Sequence, residues 1–136
     1  MASAVMAEWA PDHCALGPAE LRDHRLAFLR RSIRWGAGAA DILPAPGKSV
    51  WGVLWELGGT MEGVDVKEGR GFAYRRREVQ VLLDGEPRAA VAYDVIYKKP
   101  AHVPPAVEYM ALLLTGAREH GLPEDYVERL EAIGTA

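Results

Sequence analysis

Residues 75–97, RRREVQVLLDGEPRAAVAYDVIY, carry the pattern that decides the fold. Their first half alternates polar residues with three apolar ones, Val79, Val81 and Leu83. A period of two is typical of a strand with one face toward solvent. Asp84-Gly85 is a hairpin turn signal, and the stretch after it places Tyr93 and its valine neighbours on one face of a second strand. The pattern predicts an antiparallel pair of strands.

Three segments before this hairpin also suit strands. Residues 50–57 are nearly all apolar and include two tryptophans, which predicts a strand covered on both faces at the centre of the sheet. Residues 35–42 are rich in small side chains and run into Pro44-Ala45-Pro46-Gly47, so we expect a strand with close backbone approach that ends in a turn. Residues 19–34 favour one or two half-buried strands, with a helix as the open alternative.

The end of the chain has helical spacing. Pro104-Pro105 precedes apolar residues at intervals of three and four, and Gly121 followed by Pro123 marks a helix stop. A second helix is expected from Glu124 until Gly134. Strands followed by helices predict an α+β fold, in which the helices pack on a mainly antiparallel, strongly curved sheet or small mixed β-barrel.

The composition fits one compact domain over residues 1–136. The chain is 49% hydrophobic, and its formal net charge of -3 lacks the basic excess of a general nucleic-acid binder. No apolar run approaches the length of a membrane span, and Cys14 is the single cysteine. We therefore expect a cytoplasmic protein with a small-molecule or protein partner, and with no nucleic-acid or membrane partner.

Metal and cofactor chemistry has little support in the sequence. The four histidines show no metal-ligand spacing, and no glycine-rich loop opens a helix. We expect neither a metal nor a cofactor.

An acidic, glycine-flanked turn precedes the hairpin. Glu62, Asp65 and Glu68 lie close together in the sequence, beside Gly69 and Gly71. These acids can form a solvated loop. Alternatively, the glycines can bend the backbone so that Glu68 points into a cavity, where a partly desolvated carboxylate can act as a general base.

The other polar groups near this turn also have two interpretations. The basic residues Lys67, Arg70 and Arg75–Arg77 suit local ion pairs at the end of a strand, with an anion site as the alternative. Tyr93 and Tyr109 need hydrogen-bond partners if they are buried, whether they serve the core or a functional site.

Four segments, met in order along the chain, carry a family resemblance. They are Gly36-Ala37-Gly38-Ala39-Ala40-Asp41-Ile42 with Pro44-Ala45-Pro46-Gly47, Val50-Trp51-Gly52-Val53-Leu54-Trp55, Asp65-Val66-Lys67-Glu68-Gly69 with Tyr74, and Gly116-Ala117-Arg118-Glu119-His120-Gly121-Leu122-Pro123 with Tyr126 and Leu130. With these segments the chain resembles the gamma-glutamylcyclotransferase-like superfamily.

The resemblance implies a small mixed β-barrel with flanking helices, and an enzyme that releases 5-oxoproline from gamma-glutamyl compounds. Glu68 would be the general acid/base, and Tyr74, Tyr93 and Tyr109 match the family's substrate-pocket tyrosines by position. Because strict alternation places Tyr74 with the polar residues of its strand, we expect a bend or bulge there. The alternatives are a non-catalytic small-molecule or protein-binding module of the same fold, and a relative that removes a gamma-glutamyl group from an amine.

Family members begin with a strand and a Tyr-Gly-Ser/Thr loop whose backbone N–H groups hold the substrate, whereas Met1 matches a position just after that loop. The resemblance leaves two expectations: a true start further upstream, or a domain without the N-terminal strand and loop. In the second case an unpaired sheet edge could support a homodimer.

Overall fold

The computed structural model describes residues 13–57 and 74–136, and every structural statement below concerns these residues. In them, strands precede helices: β1 (His13–Arg31), β2 (Gly38–Leu57), β3 (Tyr74–Leu83), β4 (Glu86–Val95), α1 (Val107–Glu119) and α2 (Glu124–Glu131). The strands form an antiparallel sheet in the order β2-β1-β3-β4. The prediction of an α+β fold is confirmed. The described sheet is open, so its closure into a barrel stays a prediction.

The β3–β4 hairpin forms as predicted. Asp84 and Gly85 occupy the turn with φ angles of 51° and 79°. Positive φ at both central residues gives a two-residue loop whose twist matches that of the flanking strands. The pairing continues without a register shift as far as Tyr74, which lies opposite Val95. The hairpin therefore fixes Tyr74 against the end of β4.

β1 and β2 form a long antiparallel pair, from His13 opposite Leu57 to Arg31 opposite Gly38. Residues 19–34 thus belong mainly to a strand and not to the alternative helix. The sequence of this stretch alone could not separate the two, because its apolar residues fit either period.

Among the four described strands, β2 lies at an edge of the sheet, so the prediction that residues 50–57 form its centre is wrong for this part of the chain. Both faces of this stretch are nevertheless covered. Trp51 and Val53 pack on the core beneath the helices, while Val50 and Leu54 pack on a second apolar cluster. The continuous apolar run therefore reflects contact with two cores and not a central position.

The proline-rich stretch does not end β2 as predicted. The strand pairs with β1 on both sides of residues 45–48, which bulge out opposite Asp23. The Asp23 carboxylate accepts a hydrogen bond of 3.0 Å from the Gly47 N–H. Gly47 has a φ of 80°, which side-chain-bearing residues rarely adopt. The stretch makes a sharp bend, but the strand continues with the same neighbour beyond it.

The connection between β1 and the hairpin is short. Ala19 pairs with Leu83 and Glu20 with Leu82, close to the hairpin turn. These are the two residue pairs that join β1 to β3 in the described sheet. The other end of the hairpin therefore needs separate contacts to hold it in place.

The main core lies between the sheet and the helices. Its buried members come from β1, from both helices and from the loop between the helices: Phe28, Met110, Ala117, Leu122, Tyr126, Val127 and Leu130. Burial raises the pKa of the Tyr126 hydroxyl, against the opposing effects of a hydrogen bond with the Trp51 backbone and the nearby charge of Arg129. Apolar and polar contacts thus both attach α2 to β2.

Both helices lie close to their predicted positions. α1 begins two residues after Pro105, and Gly121, with a φ of 70°, follows its C-terminus as expected for a helix stop. Neither described helix is long and apolar enough to cross a bilayer.

The segment before α1 lies directly against the start of β2. The Gly38 N–H donates a hydrogen bond of 2.9 Å to the Pro104 carbonyl, and the Val103 N–H donates one of 2.8 Å to the Phe28 carbonyl. A Cβ atom on Gly38 would overlap the Val103 carbonyl oxygen. The expected close backbone approach in residues 35–42 is therefore confirmed.

We expect Gly38→Ala to lower the free energy of unfolding by about 1–3 kcal/mol, because the added methyl group forces two backbone segments apart. Gly52→Ala is the matched control, since a Cβ there meets no atom within 4 Å, and it should change the free energy by less than about 0.5 kcal/mol. Urea unfolding of both variants measures the difference. Equal stabilities would contradict the close contact.

Candidate functional site

Two tyrosine hydroxyl groups from different elements meet on one residue of β2. Tyr74, at the start of β3, donates a hydrogen bond of 3.0 Å to the Ala40 carbonyl oxygen. Tyr109, in the first turn of α1, accepts a hydrogen bond of 3.0 Å from the Ala40 N–H. Because the N–H and C=O of one residue in a strand point to the same side, both hydroxyls lie together along the edge of β2.

The backbone of Ala40 fixes the direction of these two hydrogen bonds. A carbonyl oxygen can only accept, so the Tyr74 hydroxyl must donate its proton to it. An amide N–H can only donate, so the Tyr109 oxygen must accept it. The two phenols therefore have opposite hydrogen-bonding roles toward Ala40: Tyr74 donates its proton, and Tyr109 accepts through an oxygen lone pair.

Tyr74 reaches this position without the bulge that its place in the sequence suggested. The β3–β4 register is regular up to Tyr74, and its side chain is buried with 8% exposure. It lies on the same face as the polar residues of β3, as alternation requires. At this end of the strand that face is covered, because the hydroxyl reaches across to β2. The expectation of a bend or bulge is wrong for this reason.

Tyr109 is fixed by a second aromatic residue. Its ring packs edge-on against Trp35, with ring centroids 5.8 Å apart. The Arg34 guanidinium lies over the Trp35 ring, 5.4 Å from its centre. The turn between β1 and β2 therefore supports the helix residue that binds Ala40.

A buried carboxylate lies next to Ala40. Asp41 is 2% exposed, and its Oδ1 accepts hydrogen bonds of 2.9 Å from its neighbour Ile42 N–H and of 2.9 Å from the Val95 N–H. The second bond crosses from β2 to the end of β4. Since Val95 lies opposite Tyr74 in the hairpin, Asp41 connects the strand that carries Ala40 to the residue that pairs with Tyr74.

Lys98 supplies the positive charge beside this carboxylate. Its Nζ lies 2.8 Å from Asp41 Oδ2 and donates a hydrogen bond of 2.6 Å to the Val95 carbonyl. The contact with Asp41 is an ion pair without hydrogen-bond alignment, because Oδ2 has no well-oriented donor among the described residues. The Asp41 side chain is fully buried, whereas that of Lys98 is 29% exposed.

A second buried carboxylate lies on the other face of the hairpin. Arg75 Nε donates a hydrogen bond of 2.7 Å to Asp94 Oδ1, and Arg75 Nη2 donates one of 3.2 Å to Asp94 Oδ2. Arg77 lies 3.8 Å from the same carboxylate and donates a hydrogen bond of 2.7 Å to His24 Nε2. Burial by itself would raise the pKa of Asp94, but the hydrogen bond and charge of Arg75, with Lys98 and Arg77, lower it.

These contacts decide the role of part of the predicted basic patch. Arg75 and Arg77 are ion-pair partners of Asp94, as the interpretation of local ion pairs required, and the same carboxylate raises the pKa of Arg75. Lys67 and Arg70 lie outside the described residues. The anion-site alternative gains no support from the two arginines.

The predicted site residues fall into three groups. Tyr74 and Tyr109 come together on Ala40. Tyr93 lies on the same hairpin face as Tyr74, opposite Arg76, and is partly buried. Its place in a substrate pocket stays a prediction. The acidic turn with Glu68 lies outside the described residues.

The sequence interpretation missed the groups that hold the tyrosines in place. Ala40 acts through its backbone, which leaves no signal in the sequence. Asp41 has a weak signal, because an acid between small and apolar residues of a strand must be buried with partners. Lys98 lies far from Asp41 in the sequence, and only the fold brings them together.

Two other kinds of site can be compared with this one. A shallow groove along the hairpin, lined by residues 78–80 and 89–91, contains no tyrosine. Within residues 13–57 and 74–136, no three side chains of the metal-binding types form a cluster. The tyrosine pair on Ala40 is therefore our candidate functional site.

The fold and the site define an α+β protein with an antiparallel sheet, two C-terminal helices and a polar site at a sheet edge. Residues 49–130 match the model of the AIG2-like family. The chain is similar to a gamma-glutamylcyclotransferase of Mus musculus, with 34% identity over 122 residues, and to one of Homo sapiens, with 32% identity over 121 residues. Each alignment covers 85% of this chain and 64% of the relative.

The fold has a close counterpart among solved structures. A gamma-glutamyl cyclotransferase superposes with a TM-score of 0.92 at 28% identity, over 99% of this chain and 83% of that chain. The chain belongs to the AIG2-like family, within the gamma-glutamylcyclotransferase-like superfamily, as its sequence resemblance indicated. It spans 64% of the length of the mouse and human relatives.

The lowered pKa of Asp94 predicts an acid-dependent contribution to stability. A carboxyl group whose pKa is lower in the folded state stabilises the fold above its unfolded pKa of about 3.9, and this contribution is lost as the pH falls through the folded value. The stability gap between wild type and Asp94→Asn should therefore be large at neutral pH and shrink below about pH 4. Urea unfolding over a pH series measures the gap.

The control for this experiment is Glu86→Gln, which removes an exposed carboxylate from the same hairpin. Its gap to wild type should be small at every pH. A gap for Asp94→Asn that does not change with pH would show that the ionised carboxylate makes no such contribution.

Proposed function

We propose that this chain is a gamma-glutamylcyclotransferase-like enzyme, which cyclises a gamma-glutamyl group to 5-oxoproline and releases an amine or amino acid. In this reaction the α-amino nitrogen of the glutamyl group attacks its own γ-carbonyl carbon. A C–N bond closes the five-membered ring, and the original amide C–N bond breaks. Glu68 takes a proton from the α-ammonium group and returns one to the leaving amine.

The observation that carries this proposal is the convergence of Tyr74 and Tyr109 on Ala40. The Ala40 peptide holds both phenol hydroxyls at one edge of β2. A phenol hydroxyl can both donate and accept a hydrogen bond, and a gamma-glutamyl group offers partners of both kinds: carboxylate or carbonyl oxygens, and an α-ammonium group. The family membership and the names of the relatives support this choice of substrate.

The cyclisation makes positioning the main task of such a site. The nucleophile and the carbonyl belong to one molecule, so the enzyme gains rate when it holds the substrate folded with these two atoms in contact. Hydroxyl groups that are already fixed on a strand can do this without reorganising. Tyr93, on the same hairpin face as Tyr74, completes the proposed pocket.

Two structural expectations belong to the same proposal. The first is closure of the curved sheet into a small barrel. The second is a single gamma-glutamylcyclotransferase-like domain over residues 1–136.

We expect Glu68→Gln to reduce 5-oxoproline release by about 10²–10⁴-fold, because the amide cannot accept a proton from the α-ammonium group. The assay measures 5-oxoproline from glutathione, gamma-glutamyl amino acids and gamma-glutamyl amines, and comparison of these substrates identifies the leaving group. Glu62→Gln is the matched control, since it neutralises another acid of the same segment. Thermal unfolding checks that both variants are folded.

Full activity in Glu68→Gln would contradict the assigned acid/base. A wild-type chain that binds gamma-glutamyl compounds but releases no 5-oxoproline from any of them would contradict the enzyme and favour a binding module.

We also expect Tyr109→Phe to lower kcat/KM by about 10- to 100-fold, because the Ala40 N–H loses its acceptor and the substrate loses a hydroxyl donor. Tyr97→Phe is the matched control: it removes the same group from a side chain that is 81% exposed. Steady-state kinetics of both variants give the comparison. Equal values for the two would exclude Tyr109 from the site.

A further inference from the structure

Asp41 and Lys98 have no task in the proposed reaction, yet they form an ion pair with a fully buried carboxylate beside the tyrosine site. The Asp41 side chain is fully buried and follows Ala40 directly in β2. A buried charge is costly and persists where it is paired and hydrogen-bonded. The location of this pair next to both tyrosine contacts therefore calls for a function.

We propose that Asp41 and Lys98 are positioning residues that fix the Ala40 peptide and thereby set the places and polarity of the Tyr74 and Tyr109 hydroxyls. The functional meaning of this inference rests on the proposed cyclotransferase activity. Its structural content, the coupling of the ion pair to the tyrosines, can be tested without that activity.

Asp41 links two edges of the described sheet. β2 and β4 lie at opposite edges of the described sheet. Asp41 Oδ1 accepts the Val95 N–H at 2.9 Å and so joins the two edges at one point. The same oxygen accepts the Ile42 N–H at 2.9 Å, which holds the carboxylate against its own backbone.

The Asp41–Val95 hydrogen bond completes a closed circuit of contacts. Val95 lies opposite Tyr74 in the hairpin, and the Tyr74 hydroxyl returns to the Ala40 carbonyl. Ala40 precedes Asp41, so the circuit passes through both edge strands and ends where it began. A shift of Asp41 relative to Val95 must therefore move Tyr74 relative to Ala40, and Tyr109 is attached to the same peptide.

Lys98 supplies the positive charge that balances Asp41. Lys98 Nζ contacts the Asp41 carboxylate at 2.8 Å and the Val95 carbonyl at 2.6 Å. The lysine thus holds the C=O of the residue whose N–H the aspartate holds. Removal of the ammonium group takes the counter-charge away from a fully buried carboxylate, which favours a shift of Asp41 toward solvent. Such a shift weakens its hold on Val95.

The test compares Lys98→Met with Lys99→Met. Both variants remove one positive charge from adjacent exposed positions. The Lys98 ammonium pairs with Asp41, whereas the described hydrogen bond of Lys99 is made by its backbone N–H, which donates to the Leu29 carbonyl. We expect Lys98→Met to lower kcat/KM for gamma-glutamyl substrates on the order of 10- to 100-fold. Lys99→Met should match wild type, and Lys98→Arg should restore most of the loss.

A double-mutant cycle separates positioning from general loss of stability. If Lys98 acts through the tyrosines, Lys98→Met should cost clearly less in a Tyr109→Phe background than in wild type. Equal fold-losses in both backgrounds, or equal kinetics for Lys98→Met and Lys99→Met, would overturn the inference.

An NMR experiment tests the coupling independently of activity. Tyrosines isotope-labelled at Cζ give one signal per residue, and Tyr→Phe variants assign those of Tyr74 and Tyr109. Lys98→Met should shift both signals, and Lys99→Met neither. If Lys98→Met does not fold, Lys98→Gln replaces it, because it also removes the charge that balances the Asp41 carboxylate but keeps a polar side chain at an exposed position. Unchanged tyrosine signals in the folded variant would overturn the inference.

The two proposals fail in distinguishable ways. A wild-type chain that releases no 5-oxoproline defeats the proposed function, while the NMR comparison still decides the positioning role. If the chain is active but neither its kinetics nor its tyrosine signals change in Lys98→Met, the positioning role is wrong and the proposed function stands.

Discussion

The arrangement of the site depends on one buried carboxylate that joins two edges of the sheet. Asp41 binds the backbone of β2 and the last residue of β4 at once, and Lys98 balances its charge. At this end of the molecule, this link helps to tie the register of the β1–β2 pair to that of the hairpin. The hydroxyls of Tyr74 and Tyr109 can meet on Ala40 because the two registers are tied together.

The carboxylates of Asp41 and Asp94 are both buried, and different sets of partners compensate their loss of contact with water. Asp94 faces Arg75, whose side chain is largely exposed, so the hairpin satisfies its charge from its own strands. Asp41 takes its partners from β4 and from the segment after it. Its contacts therefore depend on how β2 and β4 lie relative to each other. The first pair stabilises one element, whereas the second couples separate elements.

The sequence predicted what depends on local pattern and missed what depends on long-range placement. The hairpin followed from a period of two around Asp84-Gly85, and the close contact at Gly38 followed from a run of small residues. The edge position of residues 50–57 could not be predicted, because an apolar run reports burial and not the order of strands. Ala40 acts through its peptide group, which any residue supplies. Tyr93 and Tyr109 stand out by their places in a strand and a helix, whereas Tyr74 is assigned to the site through the family resemblance alone.

The short contact between β1 and the hairpin has a mechanical consequence. Near the hairpin turn, two residue pairs attach β3 to β1, and at the far end the Asp41–Val95 bond attaches β4 to β2. The hairpin is thus attached to β1 near its turn and to β2 at its far end, and the Arg77–His24 hydrogen bond adds a contact with β1 between them. The position of Tyr74 therefore depends on contacts with both strands of the β1–β2 pair.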